Sequence, residues 1–255
     1  MSAVKYRETV WSELYPGNRH TVHCLQPAVL ATENALELAS ERKKRTVWRL
    51  DAGAGTDEKL RWLLARGYQV LAKGYSNKRA KVLSAQVRRW HAYNDVWIAQ
   101  VAPVGDYGRP VRVFVKRRLK EGGFRHSYYV STLSLPSNRR YIDGYHTRGA
   151  AEIEQFRNDK AGLHIATRRK QRFLAQKGFI LLADLAHNLM ADFHHRALVG
   201  TRFESYNLKR IVRDLLTTPG RLIFEDGQLK RIELLSLKQN AADLLICLER
   251  YCSSE

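Results

Sequence analysis

The spacing of apolar residues changes along this chain, and each change marks an element. Residues 46–50 carry the β-branched and aromatic content of a strand and run into the turn Asp51-Ala52-Gly53-Ala54-Gly55. Thr56 or Asp57 can then cap a helix in which Leu60, Leu63 and Leu64 share one side, and Gly67 stops it. A second strand is predicted over residues 68–72, so the unit reads strand, helix, strand, an order that implies parallel neighbours. Residues 96–101, 111–115 and 127–133 alternate apolar with polar positions between Gly, Pro and basic loops, the pattern of an antiparallel patch. The Ala, Leu and Glu rich residues 27–40 predict one helix, and residues 78–90 a basic helix with Val82, Leu83 and Val87 on one side.

From residue 143 the period becomes helical. Tyr145, Arg148, Glu152 and Phe156 recur at intervals of three and four and so share a face. A long, largely apolar helix is predicted over residues 173–197 and an amphipathic one over 206–216, ended by Pro219-Gly220. Residues 222–224 and 229–235, joined across Asp226-Gly227, read as a hairpin, and residues 241–251 as a closing helix. The longest apolar stretch, residues 178–190, is interrupted by Asp184, His187 and Asn188, which argues against a membrane span. No basic-then-apolar leader opens the sequence, so the expectation is a cytoplasmic protein without membrane attachment.

Charge sharpens the picture. The 255 residues hold 44 Lys plus Arg against 25 Asp plus Glu, a formal net charge of +19, which attracts polyanions and makes nucleic acid the natural partner. Two basic stretches stand out, residues 78–89 and residues 157–177, the latter with seven Lys and Arg against Asp159 alone. The three cysteines, Cys24, Cys247 and Cys252, lack metal-ligand spacing and fit a reducing compartment. His20 with His23 and the pair His194-His195 have no cysteine or acid at ligand spacing to complete a site.

Two places could carry chemistry. Asp51 falls at the C-terminal edge of a predicted strand, where open α/β sheets gather ligands. Its glycines resemble the cofactor loop of methyltransferases that use S-adenosylmethionine, but Asp57 stands where a third glycine belongs and Lys73 where an acid would hold the ribose. The plainer reading is an Asp that satisfies backbone amides in a turn. The second place is the helix bearing Tyr145, Arg148 and Glu152. In isolation Arg148 and Glu152 are a surface ion pair worth roughly 0.3–0.5 kcal/mol.

Taken together, these blocks resemble the DDE transposases of bacterial insertion sequences, in particular those with a β-strand insertion in an RNase H-like domain. Their signature is Y-x2-R-x3-E-x6-K, and Tyr145, Arg148 and Glu152 match its first three positions. Arg49-Leu50-Asp51, followed by a helix and by residues 67–73, resembles the block around the second catalytic Asp; the likeness extends over residues 45–235, including 181–188. Lys160 stands one residue beyond the family's lysine, with Arg157 as the substitute DNA contact.

The resemblance implies an α/β fold: an RNase H-like mixed sheet flanked by helices, with an antiparallel β insertion, about residues 76–140, between the second Asp and the Glu. Residues 1–44 would be a lead-in, 45–235 the domain and 236–255 a C-terminal helix. It implies DNA transposition, in which two Mg²⁺ or Mn²⁺ ions are held by three carboxylates, Asp51 being the second and Glu152 the third. Arg148 would orient Glu152 and touch a phosphate, and Tyr145 would stack or hydrogen-bond near the scissile strand; the competing account is that both anchor their helix to the sheet. Arg157, Lys160, Arg168, Arg169 and Lys170 would neutralise phosphates of transposon-end and target DNA in a nucleoid-associated protein, a homodimer on DNA being one allowed assembly. No Asp precedes Asp51, so the expectation is the C-terminal part of a transposase, with little cleavage of its own. The alternative from another class is a non-catalytic basic DNA-binding protein.

Overall fold

The computed structural model describes residues 1–3, 7–167, 171–236 and 240–253, with 148–156 described as helical backbone alone. In chain order its first elements are β1 (Ser2–Ala3), β2 (Glu8–Thr9), α1 (Leu25–Ala35), α2 (Ser40–Arg45), β3 (Val47–Leu50), α3 (Asp57–Ala65), β4 (Gln69–Lys73) and α4 (Asn77–Ala85). They are followed by β5 (His91–Tyr93), β6 (Val96–Val101), β7 (Arg112–Lys120), β8 (Gly123–Ser131), α5 (Asn138–Gly162) and α6 (Phe173–Phe193). The last are α7 (Leu208–Arg210), β9 (Gly220–Glu225), β10 (Gln228–Leu234) and α8 (Ala241–Cys252). Contacts divide the chain into a unit of Tyr15–Ala150 and a unit of Met1–Leu14 with Ala151–Glu255. By contacts, residues 1–14 group with the C-terminal helices.

The unit Tyr15–Ala150 is built on a six-stranded mixed sheet of order β3-β4-β8-β7-β6-β5 with helices on both faces. β3 and β4 are parallel, as the strand-helix-strand order requires, with Leu50 opposite Ala72. Thr56 caps α3 by accepting from the Lys59 N–H, and Gly67, at φ 90°, takes the left-handed conformation that ends the turn after α3. The antiparallel strands are not a separate patch. β8 pairs with β4, Leu71 opposite Ser131, so the region expected as an insertion continues the same sheet.

Strand alternation sorts the side chains. Trp48, Leu50, Val70, Ala72, Val115 and Val130 are buried on one face, where α3 and α4 pack. Leu71, Ile98, Phe114 and Tyr129 are buried on the other, where Tyr141, Ile142 and Tyr145 of α5 complete a core cluster. Each fully buried side chain of this size contributes about 1.5–3 kcal/mol. Two expected helices are shorter than their patterns. The helix over 27–40 is broken at Glu37, whose φ of 48° separates α1 from α2. α4 ends at Ala85 and buries Ala80, Leu83 and Ser84, whereas Val82 is exposed, because a helix covers its core with positions three and four apart.

In the other unit, β1 and β2 form an antiparallel hairpin held by α6. Asn188 uses its side-chain amide like an extra strand partner, donating to the Thr9 carbonyl and accepting from the Thr9 N–H, both at 2.8 Å. Ser12 donates to Asp184, and Lys177 pairs with Glu13 at 2.8 Å. The polar residues that interrupt the apolar stretch of α6 are thus the ones that hold the N-terminal segment. A second core, with Phe193, Ala197, Leu198, Phe203, Ile211 and Leu215, is closed by Leu244 and Cys247 of α8. β9 and β10 pair through a turn in which Asp226 and Gly227 have φ of 50° and 76°, as a two-residue hairpin loop demands. Among the described residues, no helix is long and apolar enough to cross a membrane.

Candidate functional site

Asp51 directly follows β3, at the C-terminal edge of the parallel pair, and is exposed. Among the described residues its carboxylate accepts one hydrogen bond, from the Ala54 N–H at 3.2 Å, and no cationic side chain pairs with it. The turn therefore does what the plainer reading asks, yet leaves an unneutralised carboxylate on a chain of net charge +19. Gly55 has its own explanation. A Cβ there would overlap the Lys73 carbonyl oxygen, so this glycine lets the turn close onto the end of β4. Gly74 likewise leaves space that the Tyr128 ring fills. Packing thus accounts for Gly55, one of the two glycines of the turn.

Asp57, six residues on, is the contrasting acid. Its carboxylate takes Arg79 Nη1 at 2.5 Å and the Tyr107 hydroxyl at 3.0 Å. The hydrogen bond to Asp57 pushes the Arg79 pKa up, and burial, followed by the Asp57 charge, does the same for the Tyr107 phenol. Asp57 is thereby a neutralised tie between α3, α4 and the loop bearing Tyr107. Sequence reading offered it as a helix cap and as the acid standing where a third loop glycine belongs; nothing in the local pattern names partners 22 and 50 residues away.

Arg49, two residues before Asp51 and on the opposite sheet face from Trp48 and Leu50, donates to the Gly144 carbonyl and the Thr147 hydroxyl, each at 3.0 Å. The start of α5 is pinned further by Tyr141, whose hydroxyl donates to the Leu133 carbonyl at 2.8 Å and accepts from the Leu135 N–H at 2.9 Å. Phe114 stacks on its ring at 4.1 Å. Tyr145 is 6% exposed, its ring edge-on to Tyr129 at 4.9 Å. This packing anchors α5 to the sheet. One position on, His146 meets Lys116 at 3.1 Å between Nε2 and Nζ, and Lys116 lies near the Tyr129 ring. Burial, reinforced by Arg118, lowers the Lys116 pKa.

The side chains of Arg148 and Glu152 lie outside the described residues, as do Arg168, Arg169 and Lys170. Arg157 and Lys160 are exposed on the later part of α5. Among the described residues no group of three or more His, Cys, Asp or Glu could hold a metal ion. Asp51 by itself offers a divalent ion the hard, accessible oxygen that Mg²⁺ or Mn²⁺ prefers. His194 is tied to the Glu204 carbonyl at 2.8 Å, a structural contact. No protein-family model and no curated protein matches the chain.

Proposed function

We propose that this chain is a DNA-handling domain of the DDE transposase type, with an RNase H-like arrangement in which Asp51 and Glu152 serve as ligands of Mg²⁺ or Mn²⁺. The observation that carries this reading is the tether from Arg49 to Gly144 and Thr147. It joins the strand leading to Asp51 with the helix bearing Tyr145, Arg148 and Glu152, across 95 residues of chain. The tether supports taking the strand that leads to Asp51 and the start of α5 as parts of one device. The Asp51 carboxylate adds to it, because among the described residues no cationic side chain pairs with it and its hard oxygens are exposed to a divalent ion.

When bound, such ions supply activation of an attacking hydroxyl and stabilisation of the leaving oxygen in phosphoryl transfer. The chain's own residues supply the rest. Arg49 holds the helix to the strand, Arg148 orients Glu152, and Arg157 and Lys160 neutralise DNA phosphates without reading sequence. A two-ion mechanism uses a third carboxylate beside Asp51 and Glu152, and weak or absent cleavage remains the expectation for this polypeptide alone.

The test is Mn²⁺ binding by the full chain. Asp51→Asn and Glu152→Gln are each expected to weaken it at least about tenfold, roughly 1.4 kcal/mol. Binding insensitive to both substitutions overturns the metal site and leaves the non-catalytic DNA-binding reading. Efficient nicking of supercoiled DNA in Mg²⁺, abolished by Asp51→Asn, would instead overturn the expectation of weak cleavage.

A further inference from the structure

β7 and β8 outrun the rest of the sheet. β6 pairs with β7 only as far as Arg118, while the β7–β8 ladder continues to Lys120 and Gly123, so their outer ends form a two-stranded ribbon. On one face of that end the Arg117 guanidinium lies 4.3 Å from the Trp90 ring centroid, 4.5 Å from Phe124 and 5.5 Å from Trp97. Trp97 and Phe124 meet edge-on at 5.5 Å. The aromatic cluster is not sealed: Phe124 is 40% exposed, and Trp90 and Trp97 are half-buried.

Positive charge surrounds it. Residues 116–126 carry five Lys and Arg against Glu121 alone, and residues 77–91 five Lys and Arg with no acid. Arg118 sits directly across from Arg125, a like-charge pairing that costs stability unless an anion relieves it, and Arg117 sits across from His126. Arg118 finds Asp95. Arg117 Nε and His126 Nδ1 are buried with no hydrogen-bond partner among the described residues. Burial, then Arg117 and Lys81, keep the His126 pKa low, as expected in a strongly positive field.

Rings on an accessible sheet end, held by a cation and ringed by Lys and Arg, have the chemistry that binds unpaired bases: π-faces for stacking and charges for the backbone. Duplex DNA would satisfy the charges but offer the rings no bases, since its bases are already stacked. We propose that Trp90, Trp97 and Phe124 around Arg117 form a stacking surface for single-stranded nucleic acid. The proposal rests on the nucleic-acid part of the function above, but on neither Asp51 nor Glu152.

The test uses the full chain with a labelled oligo(dT), a duplex of equal length, and vesicles of phosphatidylserine and phosphatidylcholine. Oligo(dT) should quench tryptophan fluorescence. Trp97→Ala and Phe124→Leu should each weaken its binding roughly 5- to 100-fold while changing duplex binding less than about twofold. Trp97→Phe, which keeps a π-face, should retain most of the affinity, and Phe124→Leu keeps apolar volume so that folding is preserved. Asp51→Asn should leave oligo(dT) binding unchanged, so loss of the metal reading does not touch this one. Equal losses on oligo(dT) and duplex, no loss on either, or vesicles that compete as well as oligo(dT) would overturn the proposal.

Discussion

Arg49 Nη1 lies 3.0 Å from Thr147 Oγ1, a hydrogen bond from the middle of β3 to the first half of α5. The same nitrogen reaches the Gly144 carbonyl at 3.0 Å, so one charged donor spans both residues. Arg49→Met keeps the apolar stem and deletes the donor. It should destabilise the protein by about 1–2 kcal/mol, read as a lower denaturant midpoint. If the tether also sets the metal site, Mn²⁺ affinity should fall in parallel; an unchanged midpoint would show that α5 is held by its aromatic contacts alone.

Gly55 and Gly53 separate packing from loop flexibility. Gly55→Ala drives a methyl group into the Lys73 carbonyl oxygen, which belongs to the backbone and cannot swing away. A cost of about 2–3 kcal/mol is expected. At Gly53 the nearest atom to an added Cβ is Asp51 Oδ1, at 3.3 Å, a side-chain atom that can move. Gly53→Ala should therefore cost less than about 1 kcal/mol in thermal or chemical unfolding, and the order of the two variants is the measurement that matters.

How far these features could be read beforehand depended on whether their causes are local. The β3-α3-β4 unit was legible because a β-branched run, a Thr cap and a glycine stop each act within a few residues. The break between α1 and α2 was not, since Glu37 adopts its positive φ without a glycine or proline to announce it. Nor was the union of the antiparallel strands with β4: the bond from Val70 N–H to Thr132 spans 62 residues, and its register is set by which faces α4 and α5 bury. At the site, the pattern placed Asp51 at a strand end. It could not tell that Tyr145 is core while its neighbour His146 is exposed, because both lie on a helix whose covered face depends on the sheet beneath.

Glu33 supplies a pH signature at the acid end. Buried on α1, it receives Arg66, the Tyr68 hydroxyl at 2.8 Å and Lys43 at 3.1 Å. The Arg66 hydrogen bond leads the causes that hold its carboxyl at about 2, below the ordinary 4.5. A depressed carboxylate contributes stability that is complete above pH 4.5 and is lost as pH falls through about 2. Glu33→Gln should cost about 1–3 kcal/mol near neutrality, because Arg66 and Lys43 lose their counter-charge while both keep some access to water. Its stability should also lack the wild-type fall between pH 4.5 and 2, followed by denaturant titration at a series of pH values.

His187 sets the opposite slope. Its Nδ1 faces Asp159 Oδ1 and its Nε2 faces the Arg7 carbonyl, both at 2.7 Å, so both nitrogens face acceptors and the doubly protonated ring fits the site. Burial works against that charge, but the bonds to Asp159 and to the Arg7 carbonyl outweigh it, and the pKa lies above 6.5. A raised histidine contributes stability that is complete below pH 6.5 and lost as pH climbs through the folded-state value. Wild type should weaken from pH 6 to about pH 9 more than His187→Gln does. Parallel curves for the two proteins would mean that the imidazole carries the same charge in the folded and unfolded states over this range.

Arg157 and Lys160 give the DNA reading its quantitative form. Both are exposed on α5, and neither forms an ion pair among the described residues, so their charges are available to a backbone phosphate. Each phosphate that a cation neutralises on duplex DNA contributes about −0.9 to the slope of log affinity against log salt. Arg157→Gln combined with Lys160→Gln should then reduce the magnitude of that slope by about 1.8, with affinity lost mostly at low salt. Arg79→Gln is the control, since Arg79 is already spent on Asp57 at 2.5 Å: it should lower stability but leave the slope unchanged. A steep wild-type slope that the double substitution does not reduce would move the duplex contact away from α5, and a flat wild-type slope would remove the electrostatic reading of the +19 charge altogether.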